Sequence, residues 1–164
     1  MDTFAEGSEL AMDLQYKKRA EDPKVTERNR QTVMAGIDKV SKGDADGWWA
    51  MFHEDAVFHE ADCLPYGGAH KGLPAIKKAF ETLSLVYAHT TAVFEEILAG
   101  GDMVIAYQTI TARIKANNNK VVFKVAELFR FRDGKVIEWR AHYFDSNLVA
   151  SAINGTGIYA KPAA

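Results

Sequence analysis

A single cysteine, Cys63, leaves the chain unable to close an internal disulfide, and a reducing, cytoplasmic setting is the expectation. No apolar run approaches the roughly 20 residues that a helix needs to cross a bilayer. The start of the chain, Met1 to Leu10, lacks the basic-then-apolar order of a secretory leader. An excess of one charge is missing too: 20 Lys plus Arg stand against 22 Asp plus Glu, with no basic concentration that could track a nucleic-acid backbone. Nucleic acid and membrane therefore drop out as expected partners. The five histidines (His53, His59, His70, His89, His142) make no HExxH or paired-cysteine pattern. Gly67-Gly68 and Gly100-Gly101 lack the strand-to-helix setting of a phosphate-binding loop. Neither a metal nor an organic cofactor is expected.

What is present is apolar content sufficient for one domain with a real core: 48% hydrophobic and 11% aromatic residues in 164. Residues 1–24 are polar and read as an arm, 25–155 as the domain, and 156–164 as a tail. From Val25 to Lys42 apolar Val33, Ile37 and Val40 recur at helical spacing, and Gly43-Asp44 ends that helix and caps a short second one carrying Trp48, Trp49 and Phe52. Ala56 to Glu60 reads as a brief strand, and Leu64 to Gly68 as an irregular loop. Pro74 then opens a third helix through Ile76, Phe80 and Leu83. Beyond it the period changes to two, with strands at Thr90–Leu98, Met103–Lys115, Val121–Arg132 and Lys135–Phe144 separated by turn residues. Helices first and an antiparallel meander afterwards make an α+β domain.

Gly43-Asp44, the segment from Phe52 to Glu60, the loop Tyr66-Gly67-Gly68 with Lys71-Gly72, and Leu128 to Val136 before Tyr143-Phe144-Asp145 together resemble a known family. The chain is similar to the nuclear transport factor 2-like superfamily, in its SnoaL-like polyketide cyclase and ketosteroid isomerase-like branch, over about residues 28–153. That resemblance implies a cone-shaped, strongly bent antiparallel sheet packed on three N-terminal helices, a cystatin-like α+β roll whose open end holds an apolar cavity. It specifies chemistry poorly, because the scaffold hosts isomerases, cyclases, hydrolases, dehydratases and plain binding proteins.

Glu127 is the most informative position. Val121, Phe123, Val125, Phe129 and Phe131 share its face of the strand, so a carboxylate interrupts an apolar stripe. Such a group is paired, protonated or set in a cavity wall. A structural ion pair with an arginine of the neighbouring strand, Arg140, is the competing account. The resemblance places at the matching position a neutral carboxylic acid that donates to a forming oxyanion. Glu60 falls where ketosteroid isomerases hold their general base, and it follows Phe58 by two residues, so both should point inward. A water-facing rim position is the alternative for Glu60, with Asp62 able to take the same role.

On the last strand Glu138, Arg140, His142 and Phe144 alternate with Ile137, Trp139, Ala141 and Tyr143. If Phe144 faces the cavity, Arg140 and His142 join it, offering a permanent cation and a group that moves protons near neutral pH. A satisfied wall histidine is the plainer account of His142. Asp145 corresponds to, or borders, the catalytic aspartate of SnoaL-like cyclases and limonene epoxide hydrolases, yet before Ser146-Asn147-Leu148 it is equally a helix N-cap. Trp48, Phe58, Tyr66 and Phe144 are the expected substrate-contacting residues.

Two departures narrow the activity. The oxyanion-hole tyrosine of ketosteroid isomerases corresponds here to Gly36, leaving Tyr66, Tyr87 or Tyr107 to supply a hydroxyl, and the Arg/Asp pattern of epoxide hydrolases reads Tyr107-Gln108-Thr109. The expectation is a cofactor-independent acid/base enzyme of isomerase, cyclase or lyase type, acting on a small apolar, aromatic or polycyclic hydroxy or carbonyl compound. A non-catalytic ligand-binding or interaction module on the same fold is the alternative. Trp139 and Leu128, read as outward-facing, predict self-association into a dimer or trimer.

Overall fold

Pro23 begins the first helix, α1 (Pro23–Ser41), where a missing N–H costs nothing, and the Asp22 carboxylate caps it by accepting from the Lys24 amide at 2.8 Å. These observations come from a computed structural model that describes residues 21–156; most of the expected N-terminal arm and nearly all of the expected tail lie outside them. Gly43, at φ +83°, turns the chain into α2 (Ala45–Trp49), capped by Asp44 through the Gly47 amide. Then come β1 (Phe52–Glu60), β2 (Gly68–Lys71), α3 (Leu73–Val86), β3 (Tyr87–Gly100), β4 (Met103–Ile114), β5 (Lys120–Arg132), β6 (Lys135–Tyr143) and α4 (Ser146–Asn154).

The strands form one six-stranded sheet in the order β2-β1-β6-β5-β4-β3. β3 to β6 make the expected antiparallel meander. The β5–β6 turn uses Asp133 and Gly134 at φ +51° and +77°, the left-handed pair that a tight hairpin requires. Two features correct the sequence reading. The sheet is mixed, because β1 runs parallel to β6, and Gly68, expected in irregular loop, opens the edge strand β2. Parallel pairing joins segments some eighty residues apart in the chain, so no local pattern announces it.

The helices close one face of the sheet. Val33 of α1, Trp48 of α2 and Ile76 of α3 pack with Phe58, Phe129 and Trp139 in one core cluster, while Val149 and Ala152 of α4 pack with Ile114, Val121 and Phe123 in a second. No helix among the described residues is long and apolar enough to cross a membrane.

Alternation on β5 holds: Val121, Phe123, Val125, Phe129 and Phe131 are buried, whereas Val122 is exposed. On β6 the inward face is the opposite of the one expected. Val136 and Trp139 are both buried although an odd number of positions separates them, and the β5–β6 register shifts where Phe131 meets Val136 and Arg130 meets Glu138. One extra residue at Ile137 flips the parity of everything after it. Trp139, Ala141 and Tyr143 therefore pair directly with inward-facing Phe129, Glu127 and Val125. Trp139, expected on the outside, is a core residue with 4% of its surface exposed.

Candidate active site

Between the helices and the inner sheet face lies a cavity of about 710 Å³, ample for a drug-sized molecule. Its floor is an aromatic stack. Trp139 lies over Phe58 at 4.1 Å between ring centroids, with Phe80 at 5.4 Å and Phe129 at 5.5 Å, and Trp48 meets it edge-on at 5.5 Å. Such offset and edge contacts hold large rings rigid. The exposed residues of its lining include Val40 and Ala45 at the α1–α2 junction and Ser84, Ala88, His89 and Thr90 where α3 passes into β3.

Of the residues expected at the site, Glu60, Glu127, Trp48, Phe58 and Tyr66 line this cavity. Both carboxylates sit where strand parity puts them, Glu60 inward with Phe58 at the end of β1 and Glu127 inward on β5. Among the described residues Glu127 has no arginine partner. Gln108 of β4 donates from Nε2 to its Oε1 at 3.2 Å, and the Trp139 indole N–H donates to its Oε2. Burial raises Glu127 to about 7 against the pull of those two donors. Glu60 lies higher, at about 8, through burial first and the charge of Glu127 second, with the Tyr143 hydroxyl and the Ala61 amide acting the other way. Its Oε2 is enclosed without a hydrogen-bond partner.

Arg140, His142, Asp145 and Phe144 are not in the cavity wall. The premise that Phe144 faces the cavity fails, and Arg140, which alternates with Trp139 and Ala141, lies on the outer face, where its Nη2 bonds Glu138 at 2.6 Å. Glu138 in turn meets His59 at 3.4 Å and Arg130 at 3.3 Å, so the arginine expected beside Glu127 belongs to a surface ion network. His142 is exposed on that same face. Phe144 lies past the end of β6 with 89% of its surface exposed, because its backbone still bonds Lys124 while its ring meets no inner wall. Asp145 takes the capping alternative, accepting from the Leu148 amide at 2.9 Å to start α4.

Three tyrosines converge beside Glu60. The Tyr66 and Tyr87 hydroxyls are 2.6 Å apart, and the Tyr143 hydroxyl lies 3.5 Å from that of Tyr66. Burial pushes Tyr87 up to about 12 and raises Tyr66 and Tyr143 further, so all three stay neutral donors. Tyr66 and Tyr87 are two of the candidates to replace the tyrosine missing at position 36. Tyr107, the third, instead faces outward beneath the Lys124 ammonium, 5.1 Å from its ring. A side chain at Gly36 has no room, since an added Cβ would stand 2.8 Å from Met51 Sδ and 3.2 Å from the Trp48 ring.

Sequence reasoning misses Tyr143, Trp139 and Gln108 as wall residues. Pairing β6 with β5 through Glu127 and Ala141, rather than counting from Phe144, finds the first two. Gln108 carries a weaker signal, a polar residue between inward-facing Ala106 and Ile110.

The family model described as "SnoaL-like domain" matches residues 33–139. The chain is similar in structure to an NTF2-like protein of unknown function from Burkholderia pseudomallei, at 20% identity and a TM-score of 0.71, covering 77% of this chain and 97% of that one. A provisionally assigned SnoaL-like polyketide cyclase from Jannaschia sp. CCS1 matches at 21% identity and a TM-score of 0.69, covering 85% and 100%. Bal32a, from a soil-derived mobile gene cassette, matches at 27% identity and a TM-score of 0.66, covering 77% and 94%. A comparison with curated proteins gives no match.

Proposed function

The chain belongs to the SnoaL-like domain family, and from that premise we propose that its cavity is the active site of a cofactor-independent acid/base enzyme of isomerase, cyclase or lyase type. In this reading the mixed sheet bends into the cone typical of such folds. The substrate is a small apolar hydroxy or carbonyl compound of aromatic or polycyclic build, because the floor is a stack of flat rings. The observation that carries the proposal is the coupled pair Glu60 and Glu127, two carboxyl groups in one apolar cavity that release their protons near 7 and 8.

Their environments divide the work. Glu127 accepts two N–H donors, which suits it to ionise first. Its charge then holds Glu60 at about 8, where a carboxylate is a strong base for its kind. The Glu60 carboxylate, one of the polar groups of the cavity lining, takes the proton from a substrate carbon next to a carbonyl. As that bond breaks, its electron pair moves to the carbonyl oxygen, and the neutral hydroxyls of the Tyr66, Tyr87 and Tyr143 cluster donate to the oxyanion. Returning the proton from Glu60 to a different carbon gives isomerisation. Attack of the enolate on a second carbonyl gives cyclisation, and loss of a β-hydroxyl as water gives dehydration.

Self-association remains part of the proposal through Leu128, Val122 and Leu98 on the outer sheet face, now without Trp139. The enzyme reading is tested by incubating the protein in deuterated water with a panel of aromatic and polycyclic ketones and hydroxyketones. NMR should show catalysed exchange of carbon-bound protons next to the carbonyl for at least one member. Tight binding with exchange no faster than in buffer would leave a ligand-binding module in its place.

A further inference from the structure

Of the three tyrosines proposed to donate, Tyr87 opens β3 and Tyr143 closes β6, whereas Tyr66 stands on the loop between β1 and β2. A hydroxyl on a loop is only as well placed as the contacts that hold the loop. This loop is wound tightly on itself. The Leu64 amide bonds the Ala61 carbonyl at 3.0 Å, the Gly67 amide bonds the Leu64 carbonyl at 2.9 Å, and a Cβ at Gly67 would stand 2.3 Å from the Ala61 carbonyl oxygen. These contacts lie within the loop and do not fix its tilt against the sheet.

His70 supplies that tie. It stands on β2 opposite Phe58, with 6.1 Å between the two ring centroids, and its Nε2 lies 2.9 Å from the Tyr66 carbonyl oxygen. A carbonyl oxygen only accepts, so the ring donates and carries a proton on Nε2. That proton is present both in this neutral tautomer and in the imidazolium, so the contact survives titration of the ring. The β1–β2 ladder pairs Glu60 with Gly68 and Phe58 with His70, so one ladder holds the proposed base directly and Tyr66 through His70. The Tyr66 hydroxyl lies between those of Tyr87, at 2.6 Å, and Tyr143, at 3.5 Å, so a tilt of the loop displaces the centre of the cluster. An oxyanion donor works over a narrow range of distance, roughly 2.7–3.1 Å, and a small displacement removes much of its effect.

We infer that His70 is a positioning residue of this site: by donating from Nε2 to the Tyr66 carbonyl it sets the Tyr66 hydroxyl against Tyr87 and Tyr143, and so sets the cluster relative to Glu60. It acts through Tyr66 and is not itself part of the cavity lining. Its effect on rate rests on the acid/base reading, whereas its hold on Tyr66 is measurable without any substrate.

The test compares wild type with His70→Phe, which keeps a ring beside Phe58 but donates nothing, and with His70→Gln, whose side-chain amide restores an N–H at similar reach. In protein labelled at tyrosine Cζ, the carbon bearing the hydroxyl, the Tyr66 signal is assigned by its loss in Tyr66→Phe. That signal should be displaced in His70→Phe and return toward its wild-type position in His70→Gln. On a ketone whose protons the protein exchanges, His70→Phe should lower kcat by about 10-fold or more with KM little changed, and His70→Gln should recover most of the loss. The loss should be the same across the pH profile, because Nε2 donates in both states of the ring. A Tyr66 signal unmoved in folded His70→Phe, wild-type exchange in that variant, or a loss that folded His70→Gln does not lessen overturns the inference. If neither variant folds, nitrogen NMR of the wild-type ring decides: a neutral imidazole protonated on Nε2 upholds it, and one protonated on Nδ1 overturns it. A Tyr66 signal that depends on His70 in a protein that exchanges no carbon-bound proton upholds the placement and defeats the catalytic reading. Exchange that is indifferent to His70 does the reverse.

Discussion

Replacing Glu60 by glutamine should alter how stability depends on pH in a way that surface carboxylates cannot imitate. The native protein keeps the Glu60 proton up to about 8, whereas the unfolded chain releases it near 4.5. Between those values the folded state binds more protons than the unfolded state, so stability falls as pH rises, and Glu60's contribution is fully present only below 4.5. At about 1.4 kcal/mol per pH unit the whole window has a ceiling on the order of 5 kcal/mol, of which about 3 kcal/mol falls between pH 6 and 9. Glu127, held at about 7, acts in the same direction over a narrower window. Glu138, Glu95 and Glu27 are shifted the other way, so their contributions are already complete at pH 6. The assay is urea unfolding of wild type and Glu60→Gln at half-unit steps from pH 5 to 9. Histidine titrations are common to both proteins and cancel in the difference. Glu60→Gln should gain on wild type by about 3 kcal/mol from pH 6 to 9, which is roughly 6 to 12 °C in melting temperature for a chain of this size. Parallel pH curves for the two proteins would refute the claim that Glu60 is buried with a raised pKa.

Trp139→Phe removes the indole donor while keeping a ring in the stack, so Glu127 should titrate above 7 by carboxyl-labelled NMR and stability should fall by about 2 kcal/mol. Asp145→Ala removes an N-cap and should cost about 1 kcal/mol with no change in exchange rate, and His142→Ala should leave the exchange rate unchanged with no measurable cost. Gly36→Tyr, which restores the residue that ketosteroid isomerases carry there, should destabilise by about 2 kcal/mol or more in thermal melts, because Met51 and Trp48 already fill the space.

Local patterning reads this chain correctly as far as interactions stay local. Caps, turns and alternation on β1 and β5 place Glu60 and Glu127 inward from the order of residues alone, since each depends on neighbours within a few positions. The failures lie where one position depends on a distant one. Alternation groups Arg140 and His142 with Phe144 correctly, but which of the two β6 faces is the inner one is visible only once β6 is laid against β5, and that pairing puts Trp139 and Tyr143 inside and Arg140 and His142 outside. The parallel β1–β6 pairing has no local signature. Tyr66 is expected among the substrate-contacting residues, but its contact with Tyr87 and Tyr143 joins a loop to two strands, and no spacing predicts it.

The central claim is that Glu60 moves the proton and Glu127 tunes it, and the pH profile of catalysed deuterium exchange on one responsive ketone tests it most directly. For wild type the rate should rise with pH and level off above about 8, where Glu60 is ionised. Glu60→Gln should lose roughly 100-fold or more and show no inflection near 8. In Glu127→Gln the inflection should move to lower pH, because the charge that raises Glu60 is gone. A folded Glu60→Gln that exchanges at the wild-type rate with the wild-type inflection would contradict the account.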